Sequence, residues 1–161
     1  MILSNAFNPP TPVMKKISAL VFSLALGLSR AAFAAEPPPS DVVLLDHGKV
    51  EAAFAKGMPM LVNSSYKIQA GRRVTAPGQV EVHEHDTDIF YVLEGTATIV
   101  TGGTTVGAKP TGAGEVRGDT ITDGTKRRLA KGDVIVIPNG VPHWFTEVSS
   151  PFLYLVVKVT K

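Results

Sequence analysis

Two histidines separated by one residue, with an acid close behind them, are the side chains best suited to chemistry. They lie in residues 82–95, which read Val-His-Glu-His-Asp-Thr-Asp-Ile-Phe-Tyr-Val-Leu-Glu-Gly. Successive side chains of a strand point to opposite faces, so His83 and His85 are expected to share one face. Residues 86–87 are expected to turn the chain, which puts Asp88 at the start of the returning strand, opposite the histidines.

Two imidazoles and a carboxylate are a ligand set for one divalent transition metal. Fe, Mn, Cu, Zn and Ni all accept such ligands, and three protein ligands leave open positions for water or substrate. The alternative is that the His-x-His pair is a surface coincidence without a metal. The chain has no cysteine, so any metal must be bound by nitrogen and oxygen.

A third histidine follows a tight turn in residues 132–147. Pro138 and Gly140 are expected to reverse the chain after a buried strand over residues 134–137, because proline fixes φ and glycine accepts turn conformations. His143 then opens the next strand. By the same two-residue period, His143 and Glu147 are expected to share a face.

The elements that must position these residues are mostly short strands. Asp46 is expected to cap a short helix that ends at Gly57. Asp123-Gly124 predicts a hairpin, and the apolar residues 152–159 predict a long terminal strand that could form a sheet edge. Many short strands with glycine turns and little helix indicate an all-β barrel or sandwich.

The first 34 residues have the three parts of a secretory signal peptide. Met14-Lys15-Lys16 is followed by the apolar residues 17–28 and a small-x-small cleavage site at Ala32-Phe33-Ala34. Residues 1–13 are interpreted as an extended leader or a wrongly chosen start. An uncleaved membrane anchor is the alternative, although the apolar run is short for a span.

Cleavage after Ala34 would leave a Pro-rich linker at residues 35–45 and one domain at 46–161. The leader lacks a twin-arginine pair, so the chain is expected to cross the membrane unfolded and to be periplasmic or secreted, free of the membrane. Three of its 16 basic residues lie in the leader, and 14 residues are acidic. The mature protein would be almost neutral, which gives no electrostatic reason to expect nucleic-acid binding.

The two stretches together resemble the motifs of the cupin superfamily. The first motif is a glycine, His-x-His, a carboxylate and a closing glycine; the second is Gly-x5-Pro-x-Gly-x2-His-x3-Asn. The matching residues here are Gly78, His83, His85, Asp88 and Gly95, then Gly132, Pro138, Gly140 and His143. The resemblance implies a jelly-roll barrel, the double-stranded β-helix, with His83, His85, Asp88 and His143 as metal ligands.

Three features depart from the cupin pattern. The usual glutamate is the shorter Asp88, which follows His85 by two residues fewer than is usual. Glu147 stands where the second motif ends in asparagine, and it could be a second base, an extra ligand or a charge on the rim. The segment over residues 96–131 is long for the family, and its glycine-rich part could cover the barrel mouth or extend into solvent.

The ligand set alone leaves the reaction open. The first hypothesis, carried largely by the resemblance, is a dioxygenase-like metal-dependent oxidoreductase acting on a small molecule, with Asp88 or Glu147 as the proton acceptor. The second is metal-dependent isomerisation or decarboxylation of a sugar or organic acid, and the third is a non-catalytic module that binds a metal or small ligand. The terminal strand and the resemblance also predict a homodimer.

Overall fold

The structure is a computed structural model that describes residues 36–161. The predicted signal peptide, residues 1–34, lies outside the described residues, so the leader stays a prediction. Residues 36–45 contain no helix or strand. Among the described residues, no helix is long and apolar enough to cross a membrane.

One short helix precedes the strands and has the predicted ends. Helix α1 covers His47–Lys56, and the Asp46 carboxylate accepts a hydrogen bond of 3.0 Å from the Lys49 backbone N–H. Gly57 ends the helix with a left-handed φ of 69°, and its N–H donates to the Ala53 carbonyl. A polar N-cap and a C-terminal glycine are enough to set both boundaries.

The rest of the described chain is strand and turn. In chain order the strands are β1 (Pro59–Val62), β2 (Tyr66–Arg73), β3 (Val80–His83), β4 (Asp86–Glu94), β5 (Thr96–Thr101), β6 (Thr104–Val106), β7 (Lys109–Gly112), β8 (Glu115–Gly118), β9 (Thr120–Thr122), β10 (Thr125–Ala130), β11 (Val134–Ile137), β12 (His143–Val148) and β13 (Phe152–Thr160). This content confirms the prediction of an all-β fold with one short N-terminal helix.

Within residues 36–161 the strands form two large antiparallel sheets and one small one. One sheet has the order β1-β2-β13-β4-β11, the other the order β10-β5-β12-β3-β8-β7, and β6 pairs with β9. The buried core takes Phe90 and Tyr154 from the first sheet and Ile99 and Phe145 from the second. The two sheets therefore share one apolar interior, as a jelly-roll barrel requires.

Three local expectations from the sequence are wrong. The terminal strand is not an edge, because β13 pairs with β2 on one side and with β4 on the other. Strands β1 and β11 are the edges of this sheet instead, and β11 is buried on one face only, since Val134 and Val136 are 60% and 57% exposed whereas Ile137 is 3% exposed. Asp123-Gly124 does turn the chain, but β9 and β10 then pair with different partners, β6 and β5. The predicted homodimer loses its structural argument and stays a prediction.

The long segment between the two motifs contributes directly to the second sheet. Its glycine-rich part forms β7, which pairs with β8, and β8 in turn pairs with β3. The register of that pairing sets Glu115 opposite His83. The segment therefore contains the hairpin β7–β8, which places Glu115 next to His83, one of the candidate metal ligands.

Candidate metal centre

His83 is the last residue of β3 and lies inside the barrel, where the two nitrogens of its ring have different surroundings. The side chain is 5% exposed, and its Nδ1 lies 2.8 Å from Oε2 of Glu115. An ionised carboxylate only accepts hydrogen bonds, so Nδ1 carries the proton in the neutral ring. Nε2 is buried, and no atom of the described residues 36–161 forms a hydrogen bond with it. Its lone pair is therefore available to a metal, and Glu115 fixes the tautomer and the ring orientation.

Two further ligand atoms lie close to this nitrogen because of strand period and register. Glu81 is two residues before His83 on β3, and β12 sets His143 opposite Glu81. From Oε2 of Glu81, Nε2 of His83 is 3.6 Å away and Nε2 of His143 is 4.0 Å away. The ligand atoms of Glu81, His83 and His143 all lie within 4.8 Å of one another.

Arginines surround the carboxylate of Glu81 and keep it ionised. Nη2 of Arg73 lies 3.0 Å from Oε1, and Nη2 of Arg117 lies 3.8 Å from Oε2. Burial alone would raise the pKa of Glu81, but the neighbouring histidines and the two arginines hold it well below its usual range. Glu81 is therefore an anion at any pH at which the protein would work.

The two histidines of the cluster titrate differently. Burial alone would lower the pKa of His83, but the carboxylates of Glu81 and Asp88 outweigh that effect and raise it. Burial lowers the pKa of His143 to about 4. His143 is consequently neutral near pH 7, which is the form of imidazole that binds a metal.

Asp88 is close to both histidines but is already paired. It comes from β4 of the other sheet and is 2% exposed, and its Oδ2 lies 3.4 Å from Nε2 of His83 and 3.8 Å from Nε2 of His143. Nζ of Lys158 donates to both of its oxygens at 2.6 and 2.7 Å. Burial raises the pKa of Asp88, which the ammonium of Lys158 opposes.

The structure does not bring His85 to this cluster. Strand β3 already ends at His83 and β4 begins at Asp86, so the turn covers residues 84–85 rather than the predicted residues 86–87. The two-residue period that would make His83 and His85 share a face is interrupted between them. His85 is exposed and lies against Gly114, where it lines a separate surface pocket.

Glu147 also lies away from the cluster. The pairing of β12 with β5 has a bulge between Phe145 and Glu147, which breaks the expected shared face with His143. Its side chain is exposed and accepts a hydrogen bond of 2.7 Å from Oγ1 of Thr98. Glu147 is therefore neither in the candidate ligand cluster nor in the lining of the pocket beside it.

Sequence reasoning missed Glu81, Glu115 and Lys158, although one signal pointed to the first of them. Asp88 follows His85 by two residues fewer than the cupin motif has, and moving the motif back by two residues restores the usual spacing. Glu81-x-His83 then takes the place of His-x-His, and Asp88 and Gly95 keep their places. Glu115 and Lys158 depend on strand pairing over long distances in the sequence, which local spacing does not reveal.

A pocket of about 250 Å³ opens beside the cluster. Its polar lining includes Glu81, Asp88, His143, Arg73, Tyr154 and Lys158. Arg73 is held in the wall, because its Nε donates to the Tyr154 hydroxyl at 3.2 Å and its guanidinium lies 4.6 Å from the centre of the Phe145 ring. The pocket can accommodate a small polar molecule next to the histidines.

The donor set of this cluster fits a transition metal. Two imidazoles and a carboxylate converge, and Nε2 of His83 has no hydrogen-bond partner among the described residues. Nitrogen and oxygen ligands of this kind suit Zn, Mn, Fe, Ni and Cu without selecting one of them. The residues therefore form a possible site for one divalent metal, with Glu81, His83 and His143 as the candidate ligands.

Comparisons with known proteins bear on the fold. A family model described as Cupin matches residues 33–161. BH2720 from Bacillus halodurans is 13% identical, with a TM-score of 0.54 over 80% of this chain and 87% of that one. TT1209 from Thermus thermophilus is 23% identical, with a TM-score of 0.47 over 65% and 81%.

A DMSP lyase, DddQ from Ruegeria pomeroyi, is 20% identical with a TM-score of 0.44. That likeness covers 62% of this chain and only 40% of the lyase chain. No curated protein sequence matches closely enough to count as a relative. The likeness to BH2720, at a TM-score of 0.54 and 13% identity, supports a shared fold and not a shared reaction.

Proposed function

The chain belongs to the cupin family, and on that basis we propose that it is an exported, metal-dependent oxidoreductase of the dioxygenase type that acts on a small molecule. The observation that carries the proposal is the buried Nε2 of His83, which has no hydrogen-bond partner in the part of the chain that the structure describes and lies near His143 and Glu81. A buried polar atom without a partner is costly, and a metal would satisfy it.

Glu81, His83 and His143 would hold the metal. Once bound, it would supply a Lewis acid with open positions at which an oxygen ligand of the substrate or dioxygen can bind. Glu115 would keep Nδ1 of His83 protonated and so direct Nε2 towards the metal. The neutral state of His143 near pH 7 means that no proton competes for its nitrogen.

The other pocket residues would bind the substrate and move a proton. Arg73 and Lys158 line the pocket as hydrogen-bond donors, which favours an oxygen of the substrate as the acceptor, while Glu81 and Asp88 balance their charges. Asp88 lines the pocket and is the better of the two predicted proton acceptors, since Glu147 is exposed and bonded to Thr98. The rings of Phe90 and Phe145 exclude water from one side of the pocket.

Isomerisation or decarboxylation is the second candidate, and the buried Asp88–Lys158 pair favours it. Both groups line the pocket beside His143, where a carboxylate and an ammonium offer a proton acceptor and a proton donor. Proton transfer between substrate atoms needs such a pair and no oxygen. Oxygen consumption with candidate acids therefore separates the two enzymatic reactions, and ligand binding without turnover would indicate a binding module.

The first experiment is elemental analysis of the purified protein after expression of the full chain. We expect about one equivalent of a transition metal, which Glu81→Gln reduces strongly and Glu147→Gln leaves unchanged. Oxygen uptake is then measured with small enols, phenols and keto acids. A protein that stays folded but binds none of Fe, Mn, Cu or Zn would overturn the proposal.

Export is a separate part of the proposal and has its own test. The leader at residues 1–34 predicts cleavage after Ala34, so the exported form should begin at residue 35. Cell fractionation followed by N-terminal sequencing checks both statements. Recovery of an uncleaved chain in the cytoplasm would contradict them.

A further inference from the structure

Lys158 neutralises Asp88 inside the pocket that the metal site faces. The two residues are paired across β13 and β4, and Nζ lies 2.6 Å from Oδ1 and 2.7 Å from Oδ2. Lys158 is 9% exposed and Asp88 is 2% exposed. Both oxygens of the carboxylate are therefore bonded to an ammonium that solvent hardly reaches.

Asp88 is nevertheless placed where a fourth ligand could be. Its Oδ2 lies 3.4 Å from Nε2 of His83, whereas Oε2 of Glu81 lies 3.6 Å from the same nitrogen. If Glu81-x-His83 is aligned with the His-x-His of the cupin motif, Asp88 also stands at the usual distance for the carboxylate of that motif. Lys158 is bonded to both oxygens of Asp88, whereas Arg73 is bonded to Oε1 of Glu81 and leaves Oε2 facing the histidines.

We propose that Lys158 withholds Asp88 from the metal, so that Glu81, His83 and His143 bind the metal alone and leave an additional position open for substrate. This inference rests on the metal site of the proposed function. It assigns Lys158 the role of setting the coordination number of that site.

The energetics of buried charge support this assignment. If Asp88 bound the metal, the ammonium of Lys158 would lose its carboxylate while remaining buried and close to a second cation. Removing one partner of a buried ion pair is strongly unfavourable because the other charge stays desolvated. The open position also has a chemical use, since a three-ligand site accepts a substrate oxygen more readily than a four-ligand site.

The test compares zinc affinities by calorimetric titration of the full chain with Zn²⁺. Lys158→Met keeps the length of the side chain and removes its charge, which frees Asp88. We expect this variant to bind zinc at least about tenfold more tightly than wild type, in the range that an added ligand interaction can supply. The double variant with Asp88→Asn, which removes both charges of the pair, should return to within about threefold of the wild-type value.

Lys67→Met is the matched control. Lys67 forms the other lysine–aspartate pair of the same sheet, with Asp86 at 2.5 Å, and lies outside the pocket beside the cluster. This substitution also breaks an ion pair, so it should lower stability without changing zinc affinity. If a variant folds too poorly for titration, thermal melts with and without zinc replace it. Zinc should raise the melting temperature of Lys158→Met more than that of wild type.

The outcomes separate the two proposals. Zinc binding by wild type that Lys158→Met does not tighten, or tighter binding that persists in the double variant, would overturn this inference and leave the metal site in place. Binding by Lys158→Met but not by wild type would show that Lys158 blocks Asp88, but it would overturn the proposed function and, with it, the statement that the other three residues bind the metal alone. Binding by neither protein would overturn both.

Discussion

His83 and His85 are two residues apart, yet they belong to two different regions. The inner cluster, which is Glu81, His83, Asp88 and His143, is buried between the sheets and built from side chains. The outer turn, which is Glu84 and His85, is exposed and held by its backbone. There the Glu84 N–H donates to the Gly114 carbonyl at 2.8 Å, and the Lys161 N–H donates to the His85 carbonyl at 2.9 Å.

The difference shows that the position of a turn decides which residues become candidate ligands. The chain leaves β3 directly after His83, so the next side chain of the same type faces solvent. Glu81, two residues before His83, lies in the candidate metal site instead of His85. The inner cluster is the candidate for metal binding, and the outer turn connects two strands.

Substituting the two histidines separately tests this comparison most strongly. We expect His83→Ala to weaken metal binding by more than about 100-fold, beyond the loss typical of a residue that only supports a ligand. His85→Ala should change it less than about threefold. Competition with a chelator of known affinity measures both constants. Equal losses in the two variants would show that the outer turn also binds the metal.

The pH dependence of stability sharpens the comparison in the metal-free protein. His143 has a folded-state pKa of about 4 and an ordinary value of 6.5, so the unfolded state binds more protons between these limits. His143 therefore contributes stability above pH 6.5 that is lost as the pH falls towards 4. We expect His143→Gln to remove up to about 1.4 kcal/mol per pH unit from the slope of unfolding free energy in this range.

Denaturant unfolding of wild type and variant at several pH values, with a chelator present, measures that slope. His83 acts in the opposite direction because its pKa is raised, so the difference between wild type and His143→Gln, rather than either slope alone, reports His143. His85→Gln serves as the control from the outer turn. Parallel curves for wild type and His143→Gln would contradict a neutral, buried His143.

The support given by Glu115 should produce a smaller effect. Glu115→Gln keeps an oxygen that can accept from Nδ1 of His83, but it removes the charge that fixes the ring. Metal affinity should fall by about tenfold, the lower end of the range for such partners. Glu84→Gln, an acid of the outer turn, is the matched control and should bind metal like wild type. An unchanged affinity in Glu115→Gln would show that His83 needs no orienting partner.

The sequence predicts the fold well because the signals for it are local. Alternating strands and glycine turns indicate the all-β barrel, and Asp46 and Gly57 define the helix. His143 follows from the spacing of Pro138 and Gly140, and it does lie in the cluster. These features depend on residues that are close together in the chain.

The rest of the site depends on registers between distant strands. A difference of two residues in the position of one turn exchanges His85 for Glu81. Glu115 reaches His83 only because β8 pairs with β3, and Lys158 reaches Asp88 across a separation of 70 residues. The pairing of β13 between two strands, which buries Lys158, contradicts the local interpretation of residues 152–159 as an edge.

Gly114 is where the two regions meet, and substituting it should give the smallest effect. Its φ is +72°, and an added Cβ would lie 2.5 Å from Cδ2 of His85. An alanine in this conformation costs about 1 kcal/mol, whereas the exposed His85 ring can rotate away from the methyl group. We therefore expect Gly114→Ala to lower the unfolding free energy by about 1 kcal/mol and to leave metal affinity unchanged.

Gly102→Ala is the matched control for the backbone cost alone. Gly102 has the same φ of +72° and no atom within 4 Å of an added Cβ. If the outer turn only connects strands, the two alanine variants should lose similar stability in denaturant unfolding, because neither methyl group meets an immovable neighbour. Weaker metal binding in Gly114→Ala, matching the loss in Glu115→Gln, would show instead that the strain passes to Glu115 and so to His83. The inner cluster and the outer turn would then be one unit, and the exposed turn would be part of the metal site.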